Sequence, residues 1–247
     1  MNVYWLEQTE ADVPAENDWL STDEAACLMG MRFAKRRSDW RLGRWTAKRA
    51  LSVFLNLPAH PLVFKKIEIR PAPSGAPEAF FDKQPAAFTI SLSHRAGIAA
   101  CAVAASGLEM GCDLEMVEPR SDAFVADYFT LEEQALVARA SAADRDRLLA
   151  LLWSAKESAL KALRAGLRLD TRRVIVSPFS SSGDFNGWSR LLIRCTGGHG
   201  TGGKVFHGWW QHAHNVLRTV VATPPPDSPI PLTLASHVFD SAACRCV

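Results

Sequence analysis

Gly111-Cys112-Asp113-Leu114-Glu115 places two acids inside a short run of otherwise uncharged residues. Side chains of a strand alternate between its two faces, so Asp113 and Glu115 point one way while Cys112 and Leu114 point the other. The apolar set can anchor in a core and leave two carboxylates side by side. Such charges repel unless a cation lies between them, and a hard divalent ion such as Mg²⁺ prefers carboxylate oxygen. An isolated pair of this kind is more often a solvated pair of surface acids, so other residues must separate the two interpretations.

The bulk composition excludes several classes of protein. The chain has 247 residues, 48% of them hydrophobic, which is enough for one large domain or two small ones. With 22% charged residues and a formal net charge of +2, any anion site must be a local basic patch rather than a global excess. The apolar runs are too short to span a bilayer, and no secretory signal is visible. The six cysteines form no disulfide framework, so we expect a reduced, cytoplasmic protein.

A strongly basic helix is predicted over residues 32–55, where apolar residues recur every three or four positions. One stripe of this helix, offset from the apolar stripe, consists of Arg37, Arg41, Arg44 and Lys48. Arginine suits phosphate because its planar fork can bind two oxygens. The segment therefore indicates either an anion-binding surface or a solvated basic helix face.

A second helix, predicted over residues 142–165, contains the run Trp153-Ser154-Ala155-Lys156-Glu157-Ser158-Ala159-Leu160-Lys161. Residues three and four apart share a helix face, so one carboxylate and two ammonium groups lie on the same stripe as Trp153. Taken alone, Glu157 and Lys161 form an ordinary pair worth about 0.3 kcal/mol. We expect Gly166 to close this helix as its C-terminal cap.

The order of the predicted elements indicates an α+β fold. A helix followed by strands precedes Gly107, and helices followed by strands come after Pro119. This parallel predicts two similar α+β halves with an active-site cleft between them, although no clear sequence repeat is present. The predicted units are residues 1–108 with the basic helix, residues 109–223 with the paired acids, and an extended Pro-rich tail at 224–247.

Taken together, these stretches resemble the 4′-phosphopantetheinyl transferases of the larger, surfactin-synthetase-activating type. The signature of that family is Gly-x-Asp-x-Glu followed downstream by Trp-x-x-Lys-Glu-x-x-x-Lys, matched here at residues 111–115 and 153–161. A Ser-His pair in a predicted hairpin over residues 88–104 matches at Ser93-His94, and the basic helix matches over residues 32–49. The resemblance covers about residues 32–177.

The resemblance implies a transfer of the phosphopantetheine arm of coenzyme A to a serine hydroxyl of an apo acyl, peptidyl or polyketide carrier protein. Adenosine 3′,5′-bisphosphate would leave. The implied catalytic residues are Glu157, as the base, and Lys161, at the transferred phosphate. The implied ligands of Mg²⁺ are Asp113, Glu115 and Glu157. The implied contacts to coenzyme A come from Arg32, Arg36, Arg41, Ser93, His94, Lys156 and Lys161.

The expected partners are therefore coenzyme A and an apo carrier protein, bound by a monomer, with neither nucleic acid nor membrane involved. Two alternatives remain: a catalytically inactive relative that binds coenzyme A, and a basic module that binds nucleic acid through residues 32–49. The chain also departs from the family, because Gly75-Ala76-Pro77 stands where Gly-Lys-Pro is common, so one lysine contact is missing. Cys112 replaces the usual aliphatic residue, as a small buried thiol can.

Two further segments allow more than one interpretation. Residues 198–204 fit the start of a Gly-x4-Gly-Lys phosphate-binding loop, but Val205 follows and the flanks read as strands, which favours a Gly-rich hairpin loop. The apolar residues after the acidic strand could form a groove for a carrier helix or belong to the core; they are Phe124, Tyr128, Phe129 and Leu131.

Overall fold

The computed structural model describes residues 1–178, 187–196 and 203–234. The α-helices of the described residues are α1 (Thr22–Met29), α2 (Ala34–Phe54), α3 (Pro61–Phe64), α4 (Asp122–Tyr128), α5 (Leu131–Arg139) and α6 (Ala142–Ala162). The strands are β1 (Val3–Thr9), β2 (Ile67–Pro71), β3 (Pro77–Phe81), β4 (Gln84–Pro85), β5 (Phe88–Arg95), β6 (Ile98–Ala105), β7 (Glu109–Met116), β8 (Val174–Pro178), β9 (Ser189–Cys195), β10 (Val205–Ala213), β11 (Val216–Thr223) and β12 (Ile230–Pro231). The predicted α+β class is confirmed. No helix of the described residues is both long enough and apolar enough to cross a membrane.

The strands form three sheets, with the orders β12-β1-β6-β5, β7-β11-β10-β9-β8 and β2-β3-β4. Neighbouring strands pair antiparallel except for β12, which runs parallel to β1. The predicted hairpin of β5 and β6 is confirmed, and it turns at Ala96 and Gly97, both with positive φ. The β3–β4 hairpin was not predicted, because its short strands lie in a segment dominated by loop-forming residues.

Strand alternation divides the side chains of the two large sheets between separate cores. Cys101 and Val103 of β6 pack with the buried residues of α2, whereas the intervening Ala102 faces a core shared with β7. That shared core receives Cys112 and Leu114, which confirms that the apolar face of the acidic strand is anchored. Helix α6 covers the other large sheet with its buried Leu and Ala residues. The acids of β7 therefore point away from the shared core.

A buried glutamate–lysine pair ties α1 to α2. Ser21 and Glu24 form the capping box of α1, and Glu24 also accepts a hydrogen bond from the Ile69 backbone N–H at 3.3 Å. The ammonium of Lys48, which is 0% exposed, pairs with Glu24 and donates to the Phe64 carbonyl at 2.8 Å. Burial lowers the pKa of Lys48, and the Glu24 carboxylate opposes that shift.

The same arrangement recurs between α5 and α6. Thr130 and Glu133 form the capping box of α5, and Glu133 accepts a hydrogen bond from the Val176 backbone N–H at 3.0 Å. The ammonium of Lys156 pairs with Glu133 at 2.8 Å. Each lysine lies on a helix of 21 residues. The two sets of contacts match each other, although the sequence around them shows no evident repeat, and the two-half organisation stays a prediction.

The Pro-rich segment after β11 packs onto the first sheet. Its strand β12 pairs with Tyr4 and Trp5 of β1, and the Leu232 N–H donates to the Trp5 carbonyl at 2.8 Å. Leu232 and Leu234 also pack against the core around α2. The described part of the predicted tail, residues 224–234, therefore connects the two large sheets. Residues 235–247 lie outside the described residues.

Candidate active site

Gly111 allows β7 and α6 to approach at backbone distance. A Cβ at this position would lie 1.9 Å from the Ser158 carbonyl oxygen and 2.7 Å from the Ala162 nitrogen. Any side chain would force the helix away from the strand. The glycine therefore brings the acids of β7 next to the Glu157 and Lys161 side chains of α6.

Asp113 is the central group of this contact and is buried, with 5% of its surface exposed. Its Oδ1 accepts hydrogen bonds from the Lys161 ammonium and from the Ser93 hydroxyl, both at 2.8 Å. Its Oδ2 is buried and has no hydrogen-bond partner among the described residues. A buried oxygen without a partner is costly, so this atom is suited to a cation.

Glu115 and Glu157 both lie within electrostatic range of Asp113. Burial raises the pKa of Glu115, and Asp113 adds to the shift, whereas Arg120, Arg95 and Trp153 oppose it. Burial and then Asp113 also raise the pKa of Glu157, and Lys161 opposes that shift. Three carboxylates thus converge where their charges are poorly solvated.

The predicted magnesium ligands are brought together without forming a finished coordination cluster. Among the described residues, no group of three or more His, Cys, Asp or Glu side chains is arranged to hold a metal ion. In this arrangement protein cations hold the carboxylates: Lys161 pairs with Asp113, and Arg120 pairs with Glu115 at 2.9 Å. The unpartnered Asp113 Oδ2 and the oxygen-only donor set fit a hard cation such as Mg²⁺.

Two serines join β5 to β7 where regular strand pairing is absent. The Ser91 hydroxyl accepts the Cys112 N–H at 2.9 Å, and the Ser93 hydroxyl accepts the Leu114 N–H at 3.2 Å. Because Ser93 also donates to Asp113, its hydroxyl is used inside the protein. The coenzyme A contact predicted for Ser93 would have to replace one of these bonds.

His94, the residue after Ser93, lies beside the start of α2. It lines a cavity together with Phe33, Lys35, Arg36, Asp39 and Trp40. Two predicted phosphate-binding residues, Arg36 and His94, are thus brought together. Burial lowers the pKa of His94, and the nearby Asp39 opposes that shift. Arg32 lies just before α2 and is exposed.

The structure contradicts the phosphate contact predicted for Lys156. This side chain is 0% exposed, and its ammonium is shared among Glu133 at 2.8 Å, the Thr171 carbonyl at 2.9 Å and the Val174 carbonyl. These three acceptors use all three of its donors. Lys156 points into the core on the far side of α6 from the cleft and has a structural role.

Arg41 also differs from its prediction. Its guanidinium donates to the Pro14 carbonyl and, at 3.1 Å, to the Ala15 carbonyl. It therefore holds the loop that precedes α1 and does not line the cavity beside His94. The helical period predicted which stripe Arg41 occupies but could not show that a distant loop covers it.

A larger cavity of about 460 Å³ adjoins the site on the other side of Lys161. Its walls come from the loop at residues 74–77, from β5 and β7, and from the C-terminal end of α6. Its volume and the presence of Lys161 in its wall make it suited to an extended ligand.

The aromatic residues after β7 divide between the core and the surface. Phe129 is 0% exposed and belongs to the core, while Phe124 and Tyr128 are half-buried and each packs against Trp153 with ring centroids 5.0 Å apart. Leu131 is 82% exposed. Of the predicted groove residues, Leu131 is thus the one that protrudes.

Two arginines at the site were missed by the sequence analysis. Arg120 and Arg95 approach Glu115 at 2.9 and 3.6 Å, and Arg95 also pairs with Glu118. Neither arginine belongs to a spaced motif, since one follows a proline and the other opens a hairpin turn. Their contact with Glu115 depends on chain segments that meet only in the fold.

Comparison with known proteins assigns a class to the segment that carries these acids. Residues 109–194, about a third of the chain, match the family model of the 4′-phosphopantetheinyl transferase superfamily. The match spans β7 through β9 and contains Asp113, Glu115, Glu157 and Lys161. A search of curated proteins finds no match.

One solved structure with a similar chain is a holo-(acyl-carrier-protein) synthase from Bacillus anthracis str. Ames in complex with CoA. It is 21% identical, and the alignment covers 41% of this chain and 92% of that chain with a TM-score of 0.35. The superfamily match concerns residues 109–194, and the surfactin-synthetase-activating subtype stays a prediction.

Proposed function

We propose that the protein transfers the 4′-phosphopantetheine arm of coenzyme A to a serine hydroxyl of an apo carrier protein and is of the surfactin-synthetase-activating type. One observation carries the proposal. The buried Asp113 has one oxygen held by Lys161 and the other with no hydrogen-bond partner in the described part of the chain, and it lies within the segment that matches the transferase superfamily.

The chemistry follows from these side chains. Asp113, Glu115 and Glu157 would hold Mg²⁺, and the bound ion supplies charge neutralisation at the diphosphate of coenzyme A. Glu157 accepts the proton of the carrier serine, because its carboxylate lies near Asp113 and Lys161 at the cleft. The serine oxygen bonds to the phosphorus that bears the pantetheine arm. The bond from that phosphorus to the bridging oxygen breaks, and adenosine 3′,5′-bisphosphate leaves with the electron pair.

Cations around the cleft would position and stabilise the phosphates. Lys161 lies next to Asp113 and can neutralise charge that develops on the transferred group. Arg36 and His94, which share a cavity, would bind the 3′-phosphate, with Arg32 contributing from its exposed position before α2. Most of the barrier in such a transfer is alignment and charge, which fixed cations supply.

A nucleic-acid-binding function is less well supported. Lys48 is buried in an ion pair, and Arg41 is bonded to loop carbonyls. Arg44 stacks on Trp40 with 4.8 Å between its guanidinium carbon and the ring centroid, and Arg49 stacks on Trp45 at 5.7 Å. The exposed cations are confined to the start of α2, which shortens the basic stripe that a duplex could contact.

The test is incubation of the protein with coenzyme A, Mg²⁺ and a panel of apo carrier proteins, followed by mass spectrometry of each carrier. We expect one or more carriers to gain the mass of phosphopantetheine, and Glu157→Gln to abolish that gain. Glu16→Gln, an exposed acid in the loop before α1, is the matched control and should leave the gain intact. Coenzyme A binding without modification of any carrier would favour the inactive relative.

Docking of the carrier is tested in the same assay. Leu131→Asp places a charge on the exposed residue at the start of α5. If a carrier helix packs there, carrier modification should slow while coenzyme A affinity is unchanged. Unchanged modification kinetics would show that the carrier docks elsewhere.

A further inference from the structure

Helix α6 ends with an arginine where a glycine is the usual residue. Leu163 is the C-cap, the Ala165 N–H donates to the Leu160 carbonyl at 3.0 Å, and the Arg164 N–H donates to the Lys161 carbonyl at 3.0 Å. These two bonds define a Schellman motif, whose next residue after the cap is left-handed. Arg164 has φ +52°, whereas the predicted cap Gly166 lies two residues further on.

This backbone conformation is unfavourable for arginine. A left-handed residue with a Cβ is strained relative to glycine. Helix α2 ends with the same pair of bonds but places Asn56, a residue that tolerates this region, at φ +52°. The helix end does not require an arginine side chain, so the contacts of Arg164 are the remaining explanation for this residue.

The Arg164 side chain lines the 460 Å³ cavity beside the proposed active site. Among the residues that line this cavity, the cations are Lys161 and Arg164 and the acid is Glu109. Lys161 is bonded to Asp113, and Glu109 is neutralised by Lys204 at 2.6 Å. Ala76 on the opposite wall carries no charge. Arg164 is therefore the cation of this wall that is not held by the catalytic carboxylates.

A single exposed ion pair holds Arg164 in place. Its NH1 lies 2.9 Å from the Glu78 carboxylate of β3, and the two side chains are 51% and 39% exposed. Exposed pairs of this kind are worth about 0.2–1 kcal/mol, so a phosphate can compete for the guanidinium. The pair joins β3 to the end of α6 and thereby holds the guanidinium beside the cavity wall.

We propose that Arg164 binds a phosphate group of coenzyme A at the mouth of this cavity, with Glu78 orienting the guanidinium before the ligand arrives. This assignment rests on the proposed transferase function and adds a binding residue to it. The ligand class is a phosphorylated nucleotide, because a guanidinium can bind two phosphate oxygens at once and the proposed substrate carries phosphate groups.

The test is isothermal titration of coenzyme A into the wild type and two variants that both break the ion pair. Arg164→Gly suits the positive φ and should fold at least as stably as the wild type. It should weaken coenzyme A binding about tenfold, the loss of one charge-assisted hydrogen bond. Glu78→Gln releases Arg164 from its competitor, so binding should be unchanged or tighter. Arg168→Ala is the matched control, because its guanidinium donates to the Ala165 and Arg164 carbonyls at the helix end.

The two variants should give opposite results if Arg164 binds phosphate, and equal results if the ion pair only holds β3 against α6. If the ion pair merely holds β3 against α6, both variants should weaken binding equally, and that result overturns the proposal. Pantetheine, which lacks phosphate, should bind Arg164→Gly and the wild type alike; an equal loss for pantetheine also overturns it. A loss seen with coenzyme A and with dephospho-coenzyme A assigns the diphosphate, and a loss confined to coenzyme A assigns the 3′-phosphate; both support the proposal.

The proposal and the proposed function can fail separately. A wild type that modifies no carrier but binds coenzyme A in an Arg164-dependent manner would leave the phosphate contact standing without the transferase. A wild type that modifies carriers, with coenzyme A affinity unchanged in Arg164→Gly, would overturn the phosphate contact and leave the transferase standing.

Discussion

Lys156→Met should damage folding rather than catalysis. The substitution leaves Glu133, which is 3% exposed, as an uncompensated buried charge and removes the donor of the Thr171 and Val174 carbonyls. Breaking a buried pair from one side costs about 3–5 kcal/mol. Since a domain is stable by about 5–15 kcal/mol in total, the loss should be a large fraction of it. Urea denaturation followed by tryptophan fluorescence measures the change.

The chain supplies a matched control in its first half. Lys48→Met breaks the corresponding pair with Glu24, away from the carboxylates of β7. It should also destabilise the protein, but by less, because Arg44 still lies 3.9 Å from Glu24. Adding Glu133→Gln to Lys156→Met removes the orphaned charge and should recover part of the loss. The folded fraction of Lys156→Met should still bind coenzyme A. A variant as stable as the wild type that no longer binds coenzyme A would refute this reasoning and restore the phosphate role of Lys156.

Three further outcomes are expected. Gly111→Ala should cost about 3 kcal/mol of stability and abolish carrier modification, because the added Cβ separates β7 from α6. An active variant with wild-type stability would contradict the close approach of these two elements. The folded pKa of His94 is depressed below its usual value of 6.5. Its contribution to stability is therefore present above about pH 6.5 and is lost as the pH falls through the folded pKa. The denaturation midpoint of His94→Gln should not show this part of the pH dependence. A chain ending at Thr223 loses β12 and the packing of the segment after it, so its free energy of unfolding should fall by about 2 kcal/mol, and an unchanged thermal midpoint would show that the segment adds nothing.

Local signals accounted for most of the fold. The periods of α2 and α6, the capping boxes of α1 and α5, and the turn between β5 and β6 all depend on residues close in sequence. The alternation of β7 likewise predicted which side chains enter the core. The sequence could identify these elements because each depends on residues that are only a few positions apart.

Side-chain partners from distant segments were not predictable in the same way. Lys156 and Lys161 occupy one helix and looked equally available, yet one is buried against Glu133 and the other faces Asp113. The position of each was decided by loops and strands that pack on opposite sides of α6. The parallel pairing of β12 with β1 has the same origin, since 226 residues separate Tyr4 from its partner Ile230.

The residues that follow the two buried lysines differ in charge. Arg49 follows Lys48 and stacks on Trp45, whereas Glu157 follows Lys156 and faces Asp113. Matched frameworks in one polypeptide can accumulate substitutions independently, which two identical subunits cannot do. One lysine-containing helix can therefore carry an acid where the other carries a cation, as Glu157 and Arg49 do. A substitution beside Lys48 can accordingly be made without the same change beside Asp113 and Glu157.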